Sequence, residues 1–145
     1  MPTYTVSAID GRLTDTQKAS LASALTDIHC RLTGAPKYFV QVIFVDVPAT
    51  NYFVAGKRLA HDNIFIHGQI RSGRPIATKH QIIEEIMAAV VDIAVTDSAA
   101  TQVYIIDVPA EQVAEWGRIL PRPGEEASWD AAIPEDVRAR MQSLL

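Results

Sequence analysis

Apolar and polar residues alternate from Thr3 to Ile9 and the alternation stops at Asp10-Gly11, which predicts a strand closed by a turn. The period then changes. Thr14 and Gln17 have the spacing of a capping box, and Leu21, Leu25, Ile28 and Leu32 recur on one helical face up to Gly34. The β-branched and aromatic run Tyr38 to Val45 predicts a largely buried strand. The same succession follows a second time. Asn63 to Ile70 predicts a strand, Arg71 to Pro75 a connection, and Lys79 to Ala94 a helix with Ile82, Ile83, Ile86, Met87, Val90 and Ile93 inward. Gln102 to Val108 predicts a fourth strand. Further on, Ala110 to Leu120 suits a short helix, Pro121-Arg122-Pro123-Gly124 breaks it, and Pro134 to Leu144 restarts one with proline in its first turn.

Two β-α-β units, 3–45 and 63–108, followed by a tail over 110–145, predict one α/β (α+β) domain. The repeat lies in the pattern and not in the letters. With right-handed crossovers the strands form a four-stranded sheet carrying both helices on one face. The other face needs a cover, for which short elements at Tyr52 to Val54, the tail, or other subunits are the candidates. No apolar run is long enough for a bilayer, and Pro2 to Leu13 is too polar for a secretory signal. With the single cysteine Cys30, read as inert, these features predict a cytoplasmic protein. A net charge of −4 argues against a nucleic-acid surface.

Candidate chemistry starts at Pro2. Removal of Met1 would leave a secondary amine at the head of a strand, titrating near neutrality like other α-amino groups, whereas an interior proline nitrogen has no basicity. Proline at position two is common, so the signal alone is weak. Arg71 and Arg74 flank Gly73, and a tight turn there could converge two guanidinium forks on one carboxylate; two solvated loop arginines are the alternative. His29 stands beside the apolar stripe of the first helix, as a hydrogen-bond donor to a substrate or as a core histidine. Tyr104 shares a strand face with Gln102 and Ile106, which also suits cross-strand packing. Glu115 lies in the apolar-flanked stretch Val113 to Leu120 and could act as a general base, or pair with Arg118 at the surface. His61, His67 and His80 have no metal-ligand spacing with His29, so neither metal nor cofactor is expected.

Pro2, Thr26-Asp27-Ile28-His29, Gln41-Val42-Ile43-Phe44, His67-Gly68, Arg71-Ser72-Gly73-Arg74, Val103-Tyr104, Glu115-Trp116-Gly117-Arg118, Leu120-Pro121 and Pro123-Gly124 occur in this order along nearly the whole chain. In this the chain resembles the tautomerase superfamily, and most of all the family of cis-3-chloroacrylic acid dehalogenase and its homologues. The resemblance implies a homotrimer and a cofactor-independent hydrolase or lyase acting on a small unsaturated carboxylate. Pro2 would be the acid that protonates the carbon next to the carboxylate, Arg71, Arg74 and His29 would bind that carboxylate, and Glu115 with Tyr104 would activate water. The product would be malonate semialdehyde. Trp116 departs from the usual tyrosine, and Thr33 to Lys37 is less polar at its centre than a dedicated dehalogenase would have. The decarboxylase branch uses an aspartate near Lys37 and Tyr38, where this chain has none. Two other readings stand beside the dehalogenase: a phenylpyruvate-type enol tautomerase, in which Pro2 is a base, and a cytokine-like interaction protein with a vestigial pocket.

Overall fold

The computed structural model describes residues 2–122 and 124–145; the readings placed on Met1 and Pro123 lie outside them. The central sheet has the order β2-β1-β5-β6, with β1 at Thr3–Ile9, β2 at Gln41–Val47, β5 at Ile64–Arg71 and β6 at Thr101–Val108. β1 runs parallel to β2, β5 parallel to β6, and the two halves meet antiparallel between β1 and β5. Helices α1 (Asp15–Thr33) and α2 (Ile76–Ala94) cover one face. The core lies between them and the sheet, with Tyr4, Val6 and Ala8 of β1, Ile64, Ile66 and Ile70 of β5, Leu21 and Leu25 of α1, and Ile82, Ile86 and Val90 of α2 all buried. Alternate strand positions and every third or fourth helix position therefore meet in one layer.

Local chemistry sets the ends of the helices. Thr14 and Gln17 form both hydrogen bonds of the capping box, and Gly34 closes α1 in the left-handed region at φ 73°. Helix α2 begins at Ile76, three residues before the sequence reading placed it. Pro75 presets the entry to the helix, while Ile76 is 65% exposed and so adds nothing to the buried stripe on which the periodicity depends.

Three expectations are corrected. Lys37–Phe39 form a 3₁₀ turn after Pro36, so β2 starts at Gln41; as an edge strand it buries one side only, leaving Ile43 and Val45 exposed. Ala110–Leu120 is not a helix. A 3₁₀ turn at Ala110–Gln112 leads into a hairpin of β7 (Ala114–Glu115) and β8 (Arg118–Ile119), turned through Trp116 and Gly117 at φ 51° and 77°. Two positive-φ residues in a two-residue loop make a turn whose twist matches the flanking strands. The first unit has the same device, with β3 (Phe53–Val54) and β4 (Lys57–Arg58) turned through Ala55 and Gly56.

The repeat is also written in the letters. Gln41, Val42, Asp46, Val47, Pro48, Ala49, Gly56 and Leu59 recur, at a constant spacing of 61 residues, as Gln102, Val103, Asp107, Val108, Pro109, Ala110, Gly117 and Leu120. Lys18 binds Asp46 at 2.7 Å and Lys79 binds Asp107, the same pair in each unit. The sheet face opposite the helices stays open in the single chain, with Ile43, Val45, Tyr104 and Ile106 exposed. Among the described residues no helix is long and apolar enough to cross a membrane.

Candidate active site

The topology brings distant residues to one end of the sheet. Thr3 pairs with Gln69 of β5 and with Gln41 of β2, and the Gln41 N–H donates to the Pro2 carbonyl at 3.0 Å. Pro2 therefore sits where β2 begins and β5 ends. Because α1 runs back along the sheet, its last turns arrive there with His29 and Thr33. Arg71 closes β5, Arg74 precedes α2, and β6 ends alongside at Val108, paired with Arg71. The hairpin that follows delivers Leu120, and helix α3 (Glu126–Ala131) brings Glu126 and Trp129. Together they enclose a cavity of about 360 Å³ whose lining includes Pro2, His29, Arg71 and Arg74, with Tyr38, Phe39, Leu120 and Trp129 as its apolar part.

Electrostatics at this end is uneven. His29 is buried, and its Nδ1 lies 2.8 Å from the Tyr4 hydroxyl. Burial, reinforced by the Arg74 cation, lowers its pKa to about 4, so it is neutral at pH 7. Burial likewise holds the Tyr4 hydroxyl protonated. Arg74 is weakened as an acid–base cation by burial and then by Arg71 beside it. Arg71 is engaged: Glu126 accepts from its guanidinium at 2.8 Å and from the Gly124 N–H at 2.7 Å. The Glu126 carboxylate, held low by its own backbone N–H and by Arg71, thus occupies one of the two forks.

Four of the six expected residues share the cavity. Glu115 lies in the hairpin leading to Leu120, outside the cavity lining, with Oε2 buried and without a hydrogen-bond partner among the described residues. Burial raises its pKa to about 7. The alternative pairing with Arg118 does not form: Arg118 donates to the Ala132 carbonyl and lies over the Trp129 ring at 5.9 Å. Tyr104 is placed on the open face, 57% exposed and edge-on to Phe65 at 5.0 Å, away from the cavity of its own chain. Sequence reasoning did not find Tyr4, Glu126 or the aromatic lining. Tyr4 shares its strand side with Pro2, which was the available signal; Glu126 is 55 residues from Arg71 and gives none.

The opposite end of the sheet, related by the internal repeat, is closed. Arg12 precedes α1 as Arg74 precedes α2, but its Nε and Nη2 each donate to Asp62 at 2.6 Å and Nη2 also donates to the Ala94 carbonyl. Thr96 adds a bond to the same carboxylate at 2.6 Å. Where Pro2 stands at the first end, the chain runs on through buried Asn63. Among the described residues no group of three or more His, Cys, Asp or Glu side chains is placed to hold a metal ion.

Comparison with known proteins agrees with this fold. A solved structure of N1, a member of the cis-3-chloroacrylic acid dehalogenase (cis-CaaD) family, superposes with a TM-score of 0.90 at 34% identity over 97% of this chain and 99% of that one. A fused 4-OT that forms an asymmetric trimer gives 0.74 at 25% identity over 81% and 94%. A "Probable tautomerase" of Bacillus cereus is 38% identical over 60 residues, which are 41% of this chain and 97% of that protein, as befits a relative of about one β-α-β unit. Residues 1–132 match the family described as "Putative oxalocrotonate tautomerase enzyme". The chain belongs to that family, and so to the tautomerase superfamily.

Proposed function

We propose that the chain, once Met1 is removed, is a cofactor-independent hydratase and dehalogenase of small unsaturated 3-halo-carboxylates such as cis-3-chloroacrylate. The observation that carries this reading is the convergence of Pro2, neutral His29, Arg71 and Arg74 on one cavity, with a half-buried carboxylate at Glu115 in the adjoining hairpin whose Oε2 has no hydrogen-bond partner among the described residues. The two arginines and His29 bind the carboxylate and draw electron density toward it, which exposes the far alkene carbon to water. Glu115, poised near neutrality, takes the proton of that water as its oxygen bonds to the halogen-bearing carbon. The Pro2 ammonium protonates the neighbouring carbon. The halohydrin then expels halide and a proton as its C–O bond becomes a carbonyl, giving malonate semialdehyde with no covalent enzyme intermediate. Tyr104 faces away from its own chain's cavity, so its part in orienting water requires a neighbouring copy. The reading therefore includes a homotrimer, with the open sheet face covered between subunits.

A second reading, enol tautomerisation of a phenylpyruvate-like acid, is favoured by the aromatic lining at Tyr38, Phe39 and Trp129. Steady-state assays of cis- and trans-3-chloroacrylate beside phenylenolpyruvate separate the two. Dehalogenation predicts halide release from the cis isomer that disappears in Pro2→Ala and Glu115→Gln. Ketonisation of the enol alone, unaffected by Glu115→Gln, or activity that requires deprotonated Pro2, refutes it. So does full activity in preparations whose mass retains Met1.

A further inference from the structure

We propose that Tyr4 is a positioning residue, which holds His29 in the tautomer that carries its proton on Nε2 and so presents an N–H donor to the cavity. As a role for His29 in binding carboxylate, this rests on the proposed function; as a statement about a proton, it stands on geometry alone.

Tyr4 is wholly buried, and its hydroxyl lies 2.8 Å from Nδ1 of His29, itself 2% exposed. Two arrangements of protons are open to such a pair. If Nδ1 carried the proton and donated to the tyrosine oxygen, the tyrosine O–H would need a second acceptor. Among the described residues Tyr4 has none besides His29, so that arrangement buries an unsatisfied donor. If Tyr4 donates to a bare Nδ1, both groups are satisfied and the remaining imidazole proton must reside on Nε2. That nitrogen makes no hydrogen bond to the described residues. His29 lines the cavity, so its free edge is the one that meets a ligand.

The backbone holds Tyr4 in place for this task. Tyr4 pairs across the sheet with Gly68, where an added Cβ would stand 2.7 Å from the tyrosine ring and 2.8 Å from Ile105. The ring fills the slot that the missing side chain leaves. Its position two residues after Pro2, on the same side of β1, sends the hydroxyl to the last turns of α1. The rings of Tyr4 and His29 meet edge-on at 5.8 Å and 68°, so the contact fixes the tilt of the imidazole as well as its tautomer. A neutral His29 suits this arrangement, since an imidazolium would turn a second donor onto the tyrosine proton.

The test is the tautomer itself, read by long-range ¹H–¹⁵N correlation on the full chain labelled at histidine, at pH 7. The wild type is expected to show His29 in the single Nε2–H form. Tyr4→Phe is expected to give a mixture of tautomers and, with cis-3-chloroacrylate, a KM raised about three- to tenfold with a smaller change in kcat. A circular dichroism spectrum like that of the wild type certifies the fold of the variant. An Nδ1–H form in the wild type overturns the proposal, as does a Tyr4→Phe protein that keeps both the wild-type pattern and the wild-type KM. Should Tyr4→Phe not fold, the wild-type spectrum still decides. If the chain turns over no halo-acrylate, the proposed function fails while the tautomer is judged on the spectrum alone.

Discussion

Glu115→Gln tests the burial of one carboxylate separately from its chemistry. Burial raises the Glu115 pKa from 4.5 to about 7 in the folded chain. A carboxyl that holds its proton more tightly folded than unfolded is released first by the unfolded chain, so stability declines as pH rises from about 4.5 and levels off above about 7. At about 1.4 kcal/mol per pH unit, that interval sets a ceiling of roughly 3 kcal/mol. Glu115 is only half-buried, and solvent screening brings the expected loss to about 1–2 kcal/mol. Glutamine does not titrate. The variant should therefore match the wild type near pH 4 and exceed it by about 1–2 kcal/mol at pH 8.5, seen as a rise of roughly 3–8 °C in Tm. Urea and thermal unfolding of both proteins at equal protomer concentration measure this. A stability difference that is the same at both pH values, or a variant less stable at pH 8.5, would refute the reasoning. Activity should move the other way, because the same group is the proposed base.

Three further outcomes are expected. Gly68→Ala forces a methyl into the Tyr4 ring at 2.7 Å, and overpacking should cost about 1–3 kcal/mol in denaturant unfolding; a neutral substitution would show that β5 yields at that point. Glu126→Gln removes the carboxylate that competes for Arg71. For an ion pair whose acidic partner is 50% exposed, KM for an unsaturated carboxylate should fall by up to about fivefold, and a raised KM would mean that Glu126 assists binding. Trp116→Asn places a residue that tolerates φ 51° at the first turn position of the β7–β8 hairpin and should add about 1 kcal/mol in thermal unfolding; a loss would show that indole packing outweighs the backbone conformation.

The sequence was most legible where one physical signal decided the structure. Alternation located β1, β5 and β6, and the Thr14–Gln17 box with Gly34 bounded α1 at both ends. It misled where two signals overlapped. Ala110 to Leu120 has apolar residues at spacings compatible with a helix, but Trp116-Gly117 is a two-residue turn. Comparison with Ala55-Gly56 at the 61-residue spacing would have revealed it. The apolar run of β2 reflects an open sheet face as well as the core, which is why it reads as largely buried. Within the candidate site, Pro2, His29, Arg71 and Arg74 could be named because each is chemically distinctive. Their surroundings could not, since the contacts of Tyr4 with His29 and of Arg71 with Glu126 span 25 and 55 residues and depend on the sheet register.

The internal repeat bears on why one end of the sheet is a cavity and the other is not. A twofold relation between units would offer two equivalent ends, each with a strand start, a helix end and an arginine before the next helix. In the proposed function only one of those strand starts, at Pro2, carries a free amine once Met1 is removed. At the other, the backbone continues through Asn63 and has no amine to offer, and the partly buried Arg12 is matched by the Ala94 carbonyl and by Asp62, which Thr96 also holds. At the Pro2 end the corresponding compensation is incomplete. Glu126 reaches Arg71 from a half-exposed position on a short helix, and at Arg74 burial and the like charge of Arg71 outweigh the support that the Glu126 carboxylate gives from a distance. A pair of guanidinium groups in that condition favours an incoming anion, because the anion supplies the charge that the fold supplies internally at the far end.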